Sequence, residues 1–191
     1  GERRGILVEH YIISSGLREI IEGTAITKDF THIYASSFYY NEHGEPCWPA
    51  QVINYTNKTQ FLFRIEKGIL DINDNAVNDH FAEGELRVPF RNIVYIGDSA
   101  TDIPCMRLVN SLGGHSVGVY DLENTASKDT VRRMIRDERI RYYVPADYTK
   151  GSEMDTLMHQ IIDKTAAYEV LEEKHLRDRK EAIIQHMEGQ P

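Results

Sequence analysis

RNIVYIGDSATDIPCM, residues Arg91 to Met106, is the stretch whose reading decides the fold. An apolar run (Ile93, Val94, Tyr95, Ile96) ends at Gly97, and two carboxylates follow four residues apart, Asp98 and Asp102. Pro104 then stands in the first turn of an expected helix, where a missing N–H costs nothing. The pattern is a buried strand, a tight glycine turn, two acids and a helix. In open α/β sheets ligands bind beyond the carboxyl ends of the strands, which places both acids at the expected site. Paired hard oxygen donors there suit Mg²⁺. The simpler alternative is that Asp98 ends the strand and Asp102 caps the helix.

Outward from this stretch, Leu7 to Ile13 and Thr31 to Ala35 read as strands. Phe38-Tyr39-Tyr40 and Trp48 to Ile53 flank NEHGEP as a hairpin, with Gly44 and Pro46 supplying turn chemistry. Asn57 is placed to cap a helix over Lys58 to Lys67 that carries Phe61, Leu62 and Ile65 inward. Asp71 to Glu85 is acidic and poor in apolar residues, as in a surface loop. His115 to Tyr120 is a further strand, Thr125 to Asp137 a helix, and Arg141 to Val144 a last strand. Strands alternating with helices of this length predict an α/β fold: a doubly wound, mostly parallel sheet with helices on both faces, a small hairpin and a long C-terminal helix. The core is expected over residues 1–163 and a charged helical tail over 164–191.

A chain of 191 residues is long enough for one well-buried α/β domain. The formal net charge of −8 argues against general binding to nucleic acid, which requires a basic face. Cys47 and Cys105 match neither zinc spacing nor a disulfide framework, which points to a reducing cytoplasm. No apolar stretch approaches the length that crosses a bilayer. The first residue is Gly1, and the polar stub GERRG runs almost at once into a strand, as in the interior of a longer polypeptide.

Two further signals sit at the ends of elements. Ser14-Ser15-Gly16 follows the first strand and precedes a helix that carries Leu17, Ile20 and Ile21. It can be an anion site made of a hydroxyl and unpaired N–H groups, or a serine N-cap. Lys58 falls at a helix start, where the dipole disfavours a cation. It either extends to solvent or holds a phosphate as a point charge. Serine, lysine and acid pair are spaced by 44 and 40 residues, about one or two βα units each, so all can reach one rim of the sheet. Donors for phosphoryl oxygens, a cation and a metal are the functions phosphoryl transfer requires.

Tyr11-Ile12-Ile13-Ser14, Lys58 and Gly97-Asp98-Ser99-Ala100-Thr101-Asp102 resemble the second, third and fourth motifs of the haloacid dehalogenase (HAD) superfamily, closest to its phosphoserine-phosphatase-like branch. The resemblance covers about residues 6–163. It implies that Ser14, with Ser15 and Gly16, binds the phosphoryl group of a phosphorylated small molecule. It further implies that Lys58 bridges that group and a nucleophilic carboxylate, that Asp98 binds Mg²⁺, and that Asp102 supports the metal or its waters. The superfamily's first motif, a strand ending in Asp-x-Asp, is absent. Glu2 and Glu9 are the only acids before Ser14, and Ala100, two residues after Asp98, cannot move a proton. The expectation is a phosphatase core that is inactive by itself, or a non-catalytic binding module of the same fold.

Other features carry less. A phospho-receiver domain is disfavoured because its acids precede its hydroxyl and lysine. His10 and His115 are expected to be packed or hydrogen-bonded. The hairpin aromatics border a substrate or pack across the strands. From Gly151-Ser152-Glu153 a long helix carries Met154, Leu157, Met158, Ile161 and Ile162 at helical spacing, then thins into EEKHLRDRKE. That end is either solvated or the surface through which a second copy of the chain associates.

Overall fold

The structure, a computed structural model, describes residues 2–3 and 5–188. Its contacts divide into two units, residues 1–8 with 147–191, and residues 9–146. In the first unit, β1 (Glu2–Arg3) and β2 (Ile6–Leu7) pair antiparallel. The strand expected over Leu7 to Ile13 therefore breaks before β3.

The second unit carries all the candidate residues. β3 (Tyr11–Leu17) leads into a five-residue helix, α1 (Arg18–Glu22). β4 (His32–Tyr40) lies parallel to β3 over its first half, with Tyr11 opposite His32 and Ile13 opposite Tyr34. Its second half turns into an antiparallel hairpin with β5 (Pro46–Gln51), closed where Asn41 Oδ1 accepts the N–H groups of His43 and Glu45 at 2.9 Å. α2 (Thr59–Lys67) follows. Then come β6 (Val94–Gly97), α3 (Ile103–Ser111), β7 (His115–Tyr120), α4 (Thr125–Arg136) and β8 (Tyr142–Pro145).

The molecule is thus α/β with mainly parallel pairing, as expected. The described strands of residues 9–146 nevertheless fall into two separate three-stranded sheets, β3-β4-β5 and β6-β7-β8, instead of one continuous doubly wound sheet. β7 is central in the second sheet, and all six of its residues are buried, the signature of a strand covered on both faces. β3 and β6 each pair on one side only. Both are correspondingly more open, with Ile96 40% exposed on β6.

α2 joins the two sheets through its apolar face. Phe61 and Ile65 pack with Tyr34 and Ile53 in one cluster. Leu62 packs with Tyr95, Met106 and Val109 in the other, and Ile13 of β3 touches both. Burying a side chain such as Phe61 or Leu62 contributes about 1.5–3 kcal/mol, which fixes the helix that presents Lys58. The acidic stretch after α2 is held by cations. The buried Arg64 guanidinium donates to the carbonyls of Asp71 (2.6 Å), Ile72 (2.8 Å) and Asp74 (3.2 Å). Lys67 donates to those of Val77 and Asp79, both at 2.8 Å.

In the first unit, α5 (Glu153–Glu188) is continuous for 36 residues and passes through the expected boundary at 163/164 without a break. Met154, Ile161 and Ala166 are buried, and from Val170 the helix is almost entirely exposed. Among the described residues no helix is long and apolar enough to cross a membrane.

Candidate functional site

Lys58 and Asp102, 44 residues apart, meet. Lys58 Nζ donates to Asp102 Oδ1 at 2.7 Å, and both residues are only 6% exposed. Lys58 is the residue just before α2. It neither extends to solvent nor stands free at the helix start: the carboxylate offsets the unfavourable dipole. Asn57 does not cap α2. Its side chain closes the preceding turn, accepting from the Asn54 N–H at 2.8 Å and donating to Val52 O at 2.9 Å.

Asp102 occupies the N-cap position of α3 but makes no capping hydrogen bond there. Its Oδ1 also accepts from the Tyr95 hydroxyl at 2.9 Å, and its Oδ2 takes a longer contact from Ser99 Oγ at 3.3 Å. Gly97 makes this possible. A Cβ at that position would stand 2.7 Å from the Asp102 carboxylate, so only glycine lets the acid fold back under the strand end. Burial, with Cys105 and Asp102 nearby, pushes the Tyr95 hydroxyl well above the ordinary phenol range. Burial also pushes the Cys105 thiol up to about 11. Both cysteines are free thiols, Cys47 exposed and Cys105 buried. Tyr95 is the partner that sequence reading missed. In an apolar strand its ring reads as core, and its hydroxyl is the only signal that it also serves a buried acid.

Asp98 stands exposed just beyond the carboxyl end of β6 and makes no hydrogen bond or ion pair among the described residues. It is the carboxylate left able to receive a cation. A water-rich Mg²⁺ site is held by one or two carboxylates and completed by waters and substrate oxygens. Asp98 is one such exposed donor, whereas Asp102 is 6% exposed with Oδ1 engaged by Lys58 and Tyr95. No group of three or more His, Cys, Asp and Glu is arranged to hold a metal among the described residues.

Ser14, Ser15 and Gly16 are not a helix cap. They belong to β3, and α1 begins only at Arg18 with Leu17 before it and no side-chain cap. Between the pairs Ile13–Tyr34 and Leu17–Ser36, β3 has three residues where β4 has one, so this segment bulges from the ladder. Ser14 Oγ accepts the Gly16 N–H at 3.0 Å. The Ser36 hydroxyl ties the bulge to the start of the next segment, donating to Ser15 O at 3.2 Å and accepting from the Ile53 N–H at 3.0 Å. Bulges re-aim side chains at sheet ends. Ser14 is half-buried and makes no hydrogen bond to Lys58 or to the acid turn.

The remaining expectations divide. Glu9 is engaged by Arg87 and by the Tyr11 hydroxyl at 2.7 Å. His115 is buried and stacked on Tyr142, whereas His10 is exposed and so not packed. Tyr39 and Trp48 do face each other across the hairpin, yet they remain 64% and 72% exposed.

No family model matches the chain. It is similar to an uncharacterized protein of Borreliella burgdorferi, 24% identical over 161 residues that take in 77% of this chain and 55% of that protein. The chain therefore spans about half the length of the relative it matches.

Proposed function

We propose that residues 9–146 are the phosphate- and magnesium-binding part of a HAD-like phosphoric monoester hydrolase that works in the cytoplasm on a phosphorylated small molecule. The observation that carries this reading is the Lys58–Asp102 contact. It joins a helix-start lysine to the acid turn after an apolar strand, two of the three motifs on which the resemblance rests. The open edges of β3 and β6 support it further. One additional parallel strand between them would make a single doubly wound sheet and would end beside Ser14 and Asp98.

In this reading the Ser14 hydroxyl donates to a phosphoryl oxygen, with the backbone of Ser15 and Gly16 alongside. Lys58 neutralises charge on the phosphoryl group from a position held by Asp102. Asp98 would hold Mg²⁺, and Asp102 would support the ion or its waters. The ion supplies charge neutralisation on the oxygens of the transferring group. The attacking carboxylate comes from outside residues 1–191, so this chain alone does not turn over.

The test is Mg²⁺-dependent phosphate release by the natural polypeptide with its flanking sequence, across a broad panel of phosphomonoesters. Release is expected, and Asp98→Asn or Lys58→Met is expected to reduce it by about a hundredfold or more. No release from any ester would leave the alternative, a non-catalytic binding module.

A further inference from the structure

We propose that the exposed half of α5 pairs antiparallel with the same segment of a second copy of this chain. Residues 172, 173, 176, 179, 180 and 183 recur at three- and four-residue spacing and so share one face of the helix. Along that face the charges are sorted by sign. Glu172 and Glu173 form an acidic turn, Leu176 sits in the middle, and Arg179 and Lys180 form a basic turn that ends at Ile183. None of these four charges has an ion pair or hydrogen bond among the described residues. Lys174 and Asp178, on the opposite side, pair with each other along the helix. Leu176 and Ile183 are 47% and 51% exposed.

The order of signs selects both the partner and its direction. A second α5 laid antiparallel about Leu176 sets Glu172 opposite Lys180 and Glu173 opposite Arg179, twice over by symmetry, with Leu176 meeting its own copy at the dyad. A parallel arrangement sets every charge against its like. Exposed ion pairs are weak and screened by salt, so the association is modest and salt-sensitive. It is independent of the phosphatase reading.

Sedimentation equilibrium of the 191-residue protein tests it. A dimer is expected at low salt, with a dissociation constant about tenfold larger at high salt. Glu172→Lys with Glu173→Lys should give monomer, and adding Arg179→Glu with Lys180→Glu should restore the dimer. In a Cys47→Ser background, which removes the exposed native thiol, Leu176→Cys should cross-link under oxidation, whereas Ile183→Cys should not, because antiparallel copies hold those positions about 21 Å apart. Monomer under all conditions, indifference to charge reversal, or equal cross-linking at 176 and 183 overturns the proposal. All these sites are exposed except the half-buried Glu172, and helicity by circular dichroism verifies folding of each variant.

Discussion

Replacing either member of the Lys58–Asp102 pair is expected to destabilise residues 9–146 unequally. Both side chains are almost fully buried and 2.7 Å apart. Removing one partner of such a pair costs about 3–5 kcal/mol, mostly because the other charge is left buried without compensation. The Lys58 ammonium has Asp102 as its one hydrogen-bond partner among the described residues, whereas the Asp102 carboxylate keeps Tyr95 and Ser99. Asp102→Asn, which strands the ammonium, should therefore lie at the upper end of that range, and Lys58→Met at or below the lower end. The double variant should cost less than the sum, with a coupling of about 2–3 kcal/mol, because two neutral groups of similar shape remain. With a urea dependence of about 2 kcal/mol per molar, Asp102→Asn should lower the unfolding midpoint by about 2 M. Additive effects, or single costs below about 1 kcal/mol, would refute a closed pair and place Lys58 in solvent.

Three other perturbations follow from the same region. Gly97→Ala sets a methyl group against the Asp102 carboxylate and should cost about 1–3 kcal/mol while reducing the Lys58–Asp102 coupling, read in the same urea titrations. Arg64→Met leaves the carbonyls of Asp71, Ile72 and Asp74 without their donor. It should cost about 2–4 kcal/mol and open residues 69–79 to limited proteolysis. Because the Cys105 thiol is pushed up to about 11 in the folded protein, the unfolded chain gives up its proton at lower pH. Its stabilising contribution is complete below about pH 9 and lost as pH rises toward 11, at up to about 1.4 kcal/mol per unit. Denaturation midpoints across that window should fall less steeply in Cys105→Ala.

What sequence revealed depended on how local each determinant is. Phe61, Leu62 and Ile65 were legible because helical spacing alone marks a buried face, and His115 to Tyr120 because Val117, Val119 and Tyr120 form a short β-branched and aromatic run between turn residues. The glycine–acid turn after β6 was legible because Gly97, Asp98 and Asp102 are set by short-range geometry. Ser14 was misplaced on a helix start because the pairing of Leu17 with Ser36, nineteen residues away in the chain, extends β3 through it. Asn57 looked like a cap, but the turn carbonyl of Val52 and the N–H of Asn54 claimed its side chain. The long reach of Arg64 to the carbonyls of the acidic stretch leaves no periodic trace, so an anchored segment read as a plain surface loop. The division into two sheets was not legible either, since strand composition does not say which edges pair.

The most direct test of the proposed half-site is thermal unfolding of the 191-residue protein with Mg²⁺ and a phosphate analogue together. At about a hundred times the dissociation constant, binding contributes about 2.7 kcal/mol, worth about 5–10 °C for a chain of this size. The expected result is a rise of that order that needs both ligands and vanishes in Asp98→Asn. An unchanged midpoint, or the same rise in Asp98→Asn, would contradict the placing of phosphate and magnesium between Ser14, Lys58 and the acid turn.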